Sequence, residues 1–301
     1  MRQCIACGSS EATLLFKGRD LLYGTDDTFF SVKQCRRCKL VFLDPQPKKE
    51  DLTRYYPENY DSYHREKEPF LVRLVLRMKL SSLSRKIKKL TGKKDARILE
   101  VGCGTGERLA VLRDLGFSQV KGIELSSYAV SVARKSGLDV RNESFEGPTS
   151  FDHDIFDVIL MKHVFEHFAD PAAVFEKMSQ LLSAEGAAIL EIPNYASWDR
   201  ICLGKYWLGY DVPRHFFTYT VSNFGKFAER YGFKVIGVEY DIVPNNWIEG
   251  LKLFFVDRGY NRVAKFFSIY NVLLLTIFTP INLLQKFFGV SGRMTIIIRK
   301  A

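Results

Sequence analysis

Four cysteines fall in two pairs, Cys4-x-x-Cys7 and Cys35-x-x-Cys38, with 27 residues between the pairs. Each pair can form a tight knuckle that offers two thiolates to one ion, and in a reducing compartment this spacing points to Zn²⁺. Four cysteine ligands leave no open position for water or substrate, so the predicted site is structural. Gly8 follows the first pair and Lys39 the second, where glycine would be usual. The stretches LLFKGRD and TFFSVKQC supply the strands of a hairpin between the pairs. Four unrelated buried thiols, or a redox CxxC, are the alternatives; the doubled spacing argues against both. A segment of about 45 residues builds little core by itself, and a metal would supply the missing folding energy.

A second constellation is RILEVGCGTG at 97–106, followed by LAVLRDLGF and QVKGIEL. An apolar strand, a glycine-rich turn, a helix and a second strand ending at Glu124 form a βαβ unit. Gly102, Gly104 and Gly106 are spaced G-x-G-x-G, whereas a dinucleotide fingerprint needs a third glycine at the position of Glu107. Glu100 before the loop would repel a phosphate and attract an ammonium group. Together these favour S-adenosylmethionine (SAM), which carries an amine and a sulfonium, over NAD. Glu124 stands where a carboxylate can accept hydrogen bonds from both ribose hydroxyls.

A third is the run His163-x-x-Glu166-His167, with His215 further on in DVPRHFF. Three readings stay open. His167 or His163 is a general base oriented by Glu166; or Glu166, His167 and His215 hold a second divalent ion that polarises an acceptor oxygen; or the run braces the cleft without chemistry. MKHVFEH contains no [DNS]PP[YFW] run, and Asn194 in IPNY lacks the double proline.

These residues need a scaffold. Strands expected at 97–101, 119–124, 138–142, 155–161, 186–192 and 233–240 alternate with helices at 106–115, 127–136, 171–182 and 221–231, the pattern of a mostly parallel α/β sheet covered on both faces. Asp170-Pro171 is a strong helix start. The ordered segments ILEVGCGTG, GIEL, FDVILMKHVFEHFADP and LLSAEGAAILEIPN, with RMTIIIRK at the end, resemble the class I SAM-dependent methyltransferases. The zinc-ribbon subgroup with a PRHFFTYT-like stretch is met in sugar and cell-surface glycan biosynthesis. The resemblance implies a Rossmann-like, mostly parallel seven-stranded sheet whose last strand is antiparallel. By the same resemblance Glu100, Gly102, Cys103, Gly104 and Gly106 form the methionine-binding loop. Glu124 holds the ribose and Leu125 packs on adenine. Ser144 and Phe145 lie beside the adenine, with the expected acid offset to Glu143 or Glu146. Met161, Lys162 and His163 line the region after the fourth strand.

The 301 residues are 47% hydrophobic and 26% charged, which excludes wholesale disorder, and six cysteines are too few for a disulfide scaffold. The expected organisation is a zinc ribbon at 1–47, a helical linker at 48–95 and a methyltransferase domain at 96–301, with an apolar helical insertion at 241–290. Nine Lys and Arg with no acid fall in 71–94, so this one segment carries most of the net charge of +10. That concentration argues against a general nucleic-acid binder. Residues 266–285 carry no charge. A crossing is disfavoured, because it would put RMTIIIRK on the wrong side of the membrane from its own sheet. A hairpin at 245–290 resting on a membrane surface beside the basic 71–94 segment is expected instead; a pocket cap or a homodimer face is the alternative. MRQCIACGSS lacks a signal-peptide core, so a cytoplasmic location is expected, including the inner membrane face. The expected function is SAM-dependent methylation of a sugar hydroxyl or carbon, on a small or lipid-linked glycan acceptor. RNA or a quinone-type lipid is the alternative acceptor, and a non-catalytic SAM-binding scaffold the alternative class.

Overall fold

The computed structural model describes residues 3–56 and 70–301. In chain order its elements are β1 (Ala12–Gly18), β2 (Phe30–Cys35), β3 (Val41–Leu43), α1 (Phe70–Thr91), β4 (Ile98–Val101), α2 (Glu107–Asp114), β5 (Val120–Ile123), α3 (Ser127–Lys135), β6 (Asp139–Arg141), β7 (Phe156–Lys162), α4 (Pro171–Leu181) and β8 (Leu182–Pro193). They continue as α5 (Trp198–Leu203), β9 (Phe217–Thr218), α6 (Val221–Glu229), β10 (Phe233–Tyr240), α7 (Asn245–Asp257), α8 (Asn261–Ala264), α9 (Val272–Phe287) and β11 (Arg293–Lys300). The chain divides into two compact units. One comprises Glu58–Leu190, Ala228–Ile236 and Ile297–Ala301; the other comprises Met1–Pro57, Glu191–Phe227 and Gly237–Ile296.

The first unit carries a seven-stranded sheet in the order β10-β11-β8-β7-β4-β5-β6, three of whose strands run on past the unit's boundary. Residues of β4 pair in parallel with both neighbours: Ile98 lies opposite Val120 and Val158, and Val101 opposite Ile123 and Met161. Strand β4, ILEV, is buried from end to end, Glu100 included, as a strand covered on both faces must be. Ile98, Val158, Leu160, Leu109, Leu112 and Phe117 share one core, where each buried side chain stabilises the fold by about 1.5–3 kcal/mol. The helices start where their caps dictate. Asp170 Oδ1 accepts from the amides of Ala172 (3.1 Å) and Ala173 (3.3 Å) with proline at the first turn, and Ser126 Oγ accepts from Ala129 N (3.2 Å). The observed strand β8 begins earlier than expected, at Leu182, because the polar SAEG stretch hides its periodicity.

Helix α1 buries Leu80, Ser84 and Ile87 on one stripe and leaves Arg77, Lys79, Arg85 and Lys89 in solvent. Lys88 Nζ donates to Leu115 O (3.3 Å) and lies 5.2 Å from the Phe117 ring centroid, and Lys93 pairs with Asp157 at 2.7 Å. The described part of the basic segment is therefore the solvated face of a packed helix plus two engaged lysines. The side chains of 70–76, Arg73 among them, and residues 57–69 of the expected linker lie outside the described residues.

In the second unit β1, β2, β3 and β9 form an antiparallel sheet. The hairpin expected between the cysteine pairs is present as β1 and β2. Val41 lies opposite Thr218 and Phe42 opposite Phe217, so chain from within the expected 96–301 span completes the ribbon expected over 1–47. Arg214 locks the same unit. It is fully buried, and its Nη1 and Nη2 donate to Asp20 (3.0 and 2.8 Å). Its Nε and Nη2 donate to Asp211 (2.9 and 2.6 Å), and Nη1 donates again to Tyr55 O (3.1 Å). Five bonds occupy all the donor capacity a guanidinium has.

Candidate functional site

The cysteine pairs converge as their spacing predicts. Cys4 Sγ lies 3.5 Å from Cys38 Sγ, Cys7 Sγ lies 3.5 Å from Cys35 Sγ, and all four sulfurs fall within 4.8 Å of one another. A tetrahedron with Zn–S bonds of about 2.3 Å has edges of about 3.8 Å, so the donor set fits Zn²⁺. The two knuckles have one shape. Gly8 N donates to Cys4 O (2.8 Å) and Lys39 N to Cys35 O (3.0 Å); Gly8 has φ +73° and Lys39 φ +61°. Lysine thus occupies the left-handed position that glycine takes in the other knuckle. Burial opposes ionisation of Cys35, but amide groups of Cys38 and Arg37 and the Cys7 thiol outweigh it and bring Cys35 down to about 7.

At the carboxyl edge of the parallel strands the chain leaves β4, β5, β6 and β7 side by side. Gly102, Gly104 and Gly106 follow β4 with φ +67°, +55° and +79°. A Cβ on Gly102 would meet Val164 Cγ2 at 2.4 Å, and one on Gly106 would meet Leu138 Cδ1 at 2.5 Å. Both positions therefore need glycine twice over, for backbone sign and for space. Glu124 braces the loop: its Oε2 accepts from Gly104 N (2.9 Å) and its Oε1 from Ser126 N (2.8 Å).

Glu100 is the group that reads as a ligand-binding charge. It is 3% exposed; its Oε1 pairs with Arg108 Nη1 at 3.0 Å, and its Oε2 has no hydrogen-bond partner among the described residues. Burial raises its pKa, with Arg108 and Lys162 opposing and Glu124 adding. A buried carboxylate oxygen without a donor is costly unless a ligand supplies one, and an ammonium group does so. The residues present therefore fit SAM.

After β7 the chain turns through His163, held at φ +52°, into a 3-10 turn at Phe165–His167. Glu166 is wholly buried, and His163 Nδ1–H donates to its Oε1 at 3.2 Å. A carboxylate only accepts, so this bond sets the tautomer and makes Nε2 the basic nitrogen. Val164, packed against Gly102, brings this turn to the glycine loop. His167 is half-buried, with its amide on Val164 O (3.0 Å). In the other unit His215 Nδ1–H donates to Gly209 O (2.9 Å), and its Nε2 lies 3.8 Å from Asp211 Oδ2.

The profile of the methyltransferase-domain family matches residues 73–238, more than half of the sequence. The chain belongs to this methyltransferase family. A ubiquinone biosynthesis O-methyltransferase of Xylella fastidiosa is 32% identical over 105 residues, 33% of this chain and 42% of that protein. A demethylmenaquinone methyltransferase of Chlorobaculum tepidum is 28% identical over 107 residues, 35% and 44%. The chain thus spans under half the length of these curated relatives. Among solved structures, the sugar N-methyltransferase KedS8 of a Streptoalloteichus species is 24% identical, covering 37% of this chain and 46% of that one, with a TM-score of 0.33.

Within the methyltransferase the other expected cofactor residues divide by side-chain direction. Leu125 is 71% exposed beside Glu124, open to a ring. Cys103 and Met161 turn into the core, so Cys103 offers a ligand only its backbone; a Cβ on Gly122 would lie 2.6 Å from its Sγ. Phe145 is also core, its ring 6.3 Å from that of Phe168 and capped by Lys177 at 5.4 Å. Ser144 Oγ accepts from Glu146 N (3.3 Å). Glu143 takes the amide and hydroxyl of Ser150, and Glu146 the amide of Asp170 (2.8 Å), so both acids secure their own loops. The sequence reading missed Asn142, whose Nδ2 donates to Glu124 O (3.0 Å) and Leu125 O (2.8 Å), and Arg108. Asn142 directly follows β6, at the same edge as Glu124, which is the signal that could have found it.

Proposed function

We propose that this protein methylates a hydroxyl on a small or lipid-linked acceptor, with SAM as donor. The observation that carries this reading is the buried Glu100 carboxylate, with its unsatisfied oxygen at the glycine loop, one strand away from the His163–Glu166 pair. SAM, when bound, supplies a methyl group already activated on a sulfonium. The chain's own residues then have three tasks. Glu100 takes the ammonium end, while Glu124 takes the ribose hydroxyls and Leu125 covers the adenine. His163, its tautomer set by Glu166, accepts the acceptor's proton at Nε2, a nitrogen that is itself buried; such a positioned base is worth about 10²–10⁴-fold. His167 is the alternative base. Cys4, Cys7, Cys35 and Cys38 hold a structural Zn²⁺ that stabilises the ribbon.

The acceptor is proposed to be a sugar hydroxyl, on the resemblance of the ribbon and of the PRHFFTYT stretch to enzymes of glycan biosynthesis. A phenolic hydroxyl of a quinone precursor is the second reading, favoured by what the Xylella and Chlorobaculum relatives are named for. Incubation with methyl-tritiated SAM and a cell extract, followed by butanol partition and acid hydrolysis, separates them. Label released as a methylated monosaccharide supports the first, and label retained in an unhydrolysed prenylated phenol the second. His163→Ala should bind SAM normally yet turn over at least a hundredfold more slowly. Turnover unchanged in both His163→Ala and His167→Ala would refute general-base catalysis from this turn.

A further inference from the structure

Helix α9 is built inside out. Its buried stripe includes Asn282 and Gln285, both fully engaged within their unit. Asn282 Oδ1 accepts from Val243 N (2.9 Å) and its Nδ2 donates to Phe278 O (3.1 Å). Gln285 Oε1 accepts from Trp247 Nε1 (3.0 Å), and its Nε2 donates to Asp199 Oδ1 (3.3 Å). Trp247 also stacks on Phe278 with centroids 5.7 Å apart, which fixes α9 against α7. The opposite face carries the leucines. Val272 is 73% exposed, Leu273 59%, Leu284 55% and Phe287 82%. Of the two hydroxyls on this side, that of Thr276 donates to Val272 O (2.8 Å), and Thr279, seven residues after Val272, is half-buried. A helix on a water-facing surface shows the reverse pattern.

The segment that carries this face has charge of one sign. From 258 to 292 there are four basic residues, Arg258, Arg262, Lys265 and Lys286, and no Asp or Glu. Arg262, Lys265 and Lys286 are exposed, as is Tyr270 in the turn before α9. A second copy docked face to face about a two-fold axis would bring these like charges together. An anionic surface is attracted by them and receives the apolar side chains as well. Crossing is ruled out for this segment. The 16 residues of α9 span about 24 Å. No helix among the described residues is long and apolar enough to traverse a membrane, and the flanking strands β10 and β11 are neighbours in one sheet.

We propose that the outward face of α9, with the basic residues at its ends, lies in the headgroup layer of an anionic phospholipid bilayer. This assignment stands independently of the methyl-transfer reading. The test is flotation of the full chain with extruded vesicles, of phosphatidylcholine alone or mixed 1:1 with phosphatidylglycerol, in the presence and absence of salt. The protein should float with the mixed vesicles at least tenfold more than with phosphatidylcholine alone, and lose that preference in high salt. The variant L273D/F287D should float at least tenfold less with an unchanged melting curve, since both side chains are exposed. K265E/K286E should lose the preference for the anionic lipid. Equal flotation of wild type and L273D/F287D would overturn the proposal. So would absence of vesicle binding in a wild type that light scattering shows to be a dimer and the double variant a monomer, which would assign the face to a second copy.

Discussion

Replacing Arg214 with alanine should be among the most damaging single changes in the ribbon unit. The guanidinium satisfies Asp20 and Asp211 at once and is itself fully buried, so its loss leaves two carboxylates without their cation. Removing one side of a buried pair costs about 3–5 kcal/mol. At about 2–4 °C per kcal/mol, the transition that reports this unit should fall by about 6–20 °C near neutral pH. Circular-dichroism melts at several pH values give the assay. Burial alone would raise the Asp20 pKa, but Arg214, Thr25 and the Tyr23 amide outweigh it and hold the carboxyl below its ordinary value. The stability Asp20 contributes is therefore present above the unfolded carboxylate range and lost as pH falls through the folded value. In the variant the stranded carboxylates favour the proton instead, so the deficit should narrow as pH approaches 4. A deficit under about 2 °C at pH 7, or one that widens on acidification, would refute the assignment of Arg214 as the central cation of this unit.

Two further substitutions read local features. Lys39→Gly removes a side chain from a left-handed position where non-glycine residues cost about 1–2 kcal/mol, and should raise the chelator concentration needed to strip the proposed zinc from the ribbon; unchanged resistance would contradict the strain. Asp157 is buried, yet Arg97 and Lys93 bring it down to about 2 against the desolvation that opposes them. Its contribution, about 2 kcal/mol, should persist above pH 4 and be lost as pH falls toward 2; Asp157→Asn should abolish that acid-dependent component in urea titrations.

How much of this was legible beforehand follows from the range of each signal. The elements around the cofactor loop lie within a residue or two of their expected bounds, because apolar runs, the Asp170-Pro171 cap and the glycines act over a few residues. The cysteine knuckles were equally local, down to the unusual Lys39. What escaped was long-range. Strand β9 is two residues long and carries no periodicity, so its pairing with β3 had no sequence signature. Arg214 and Asp20 stand 194 residues apart, and nothing local in DVPRHFF marks the arginine as a buried cation. Phe145 follows β6, as a ring-holding residue should, but alternation alone did not reveal that it turns into the core. The inward hydrogen bonds of Asn282 and Gln285 explain how an uncharged stretch keeps an apolar outer face on α9.

Calorimetric titration of SAM into wild type and Glu100→Gln tests most directly whether Glu100 and the glycine loop hold the cofactor. A hydrogen bond to a charged group is worth about 1.5–3 kcal/mol, so the variant should bind roughly ten- to a hundredfold more weakly while keeping its fold. Equal affinity in the two proteins, or no binding by the wild type, would contradict the account.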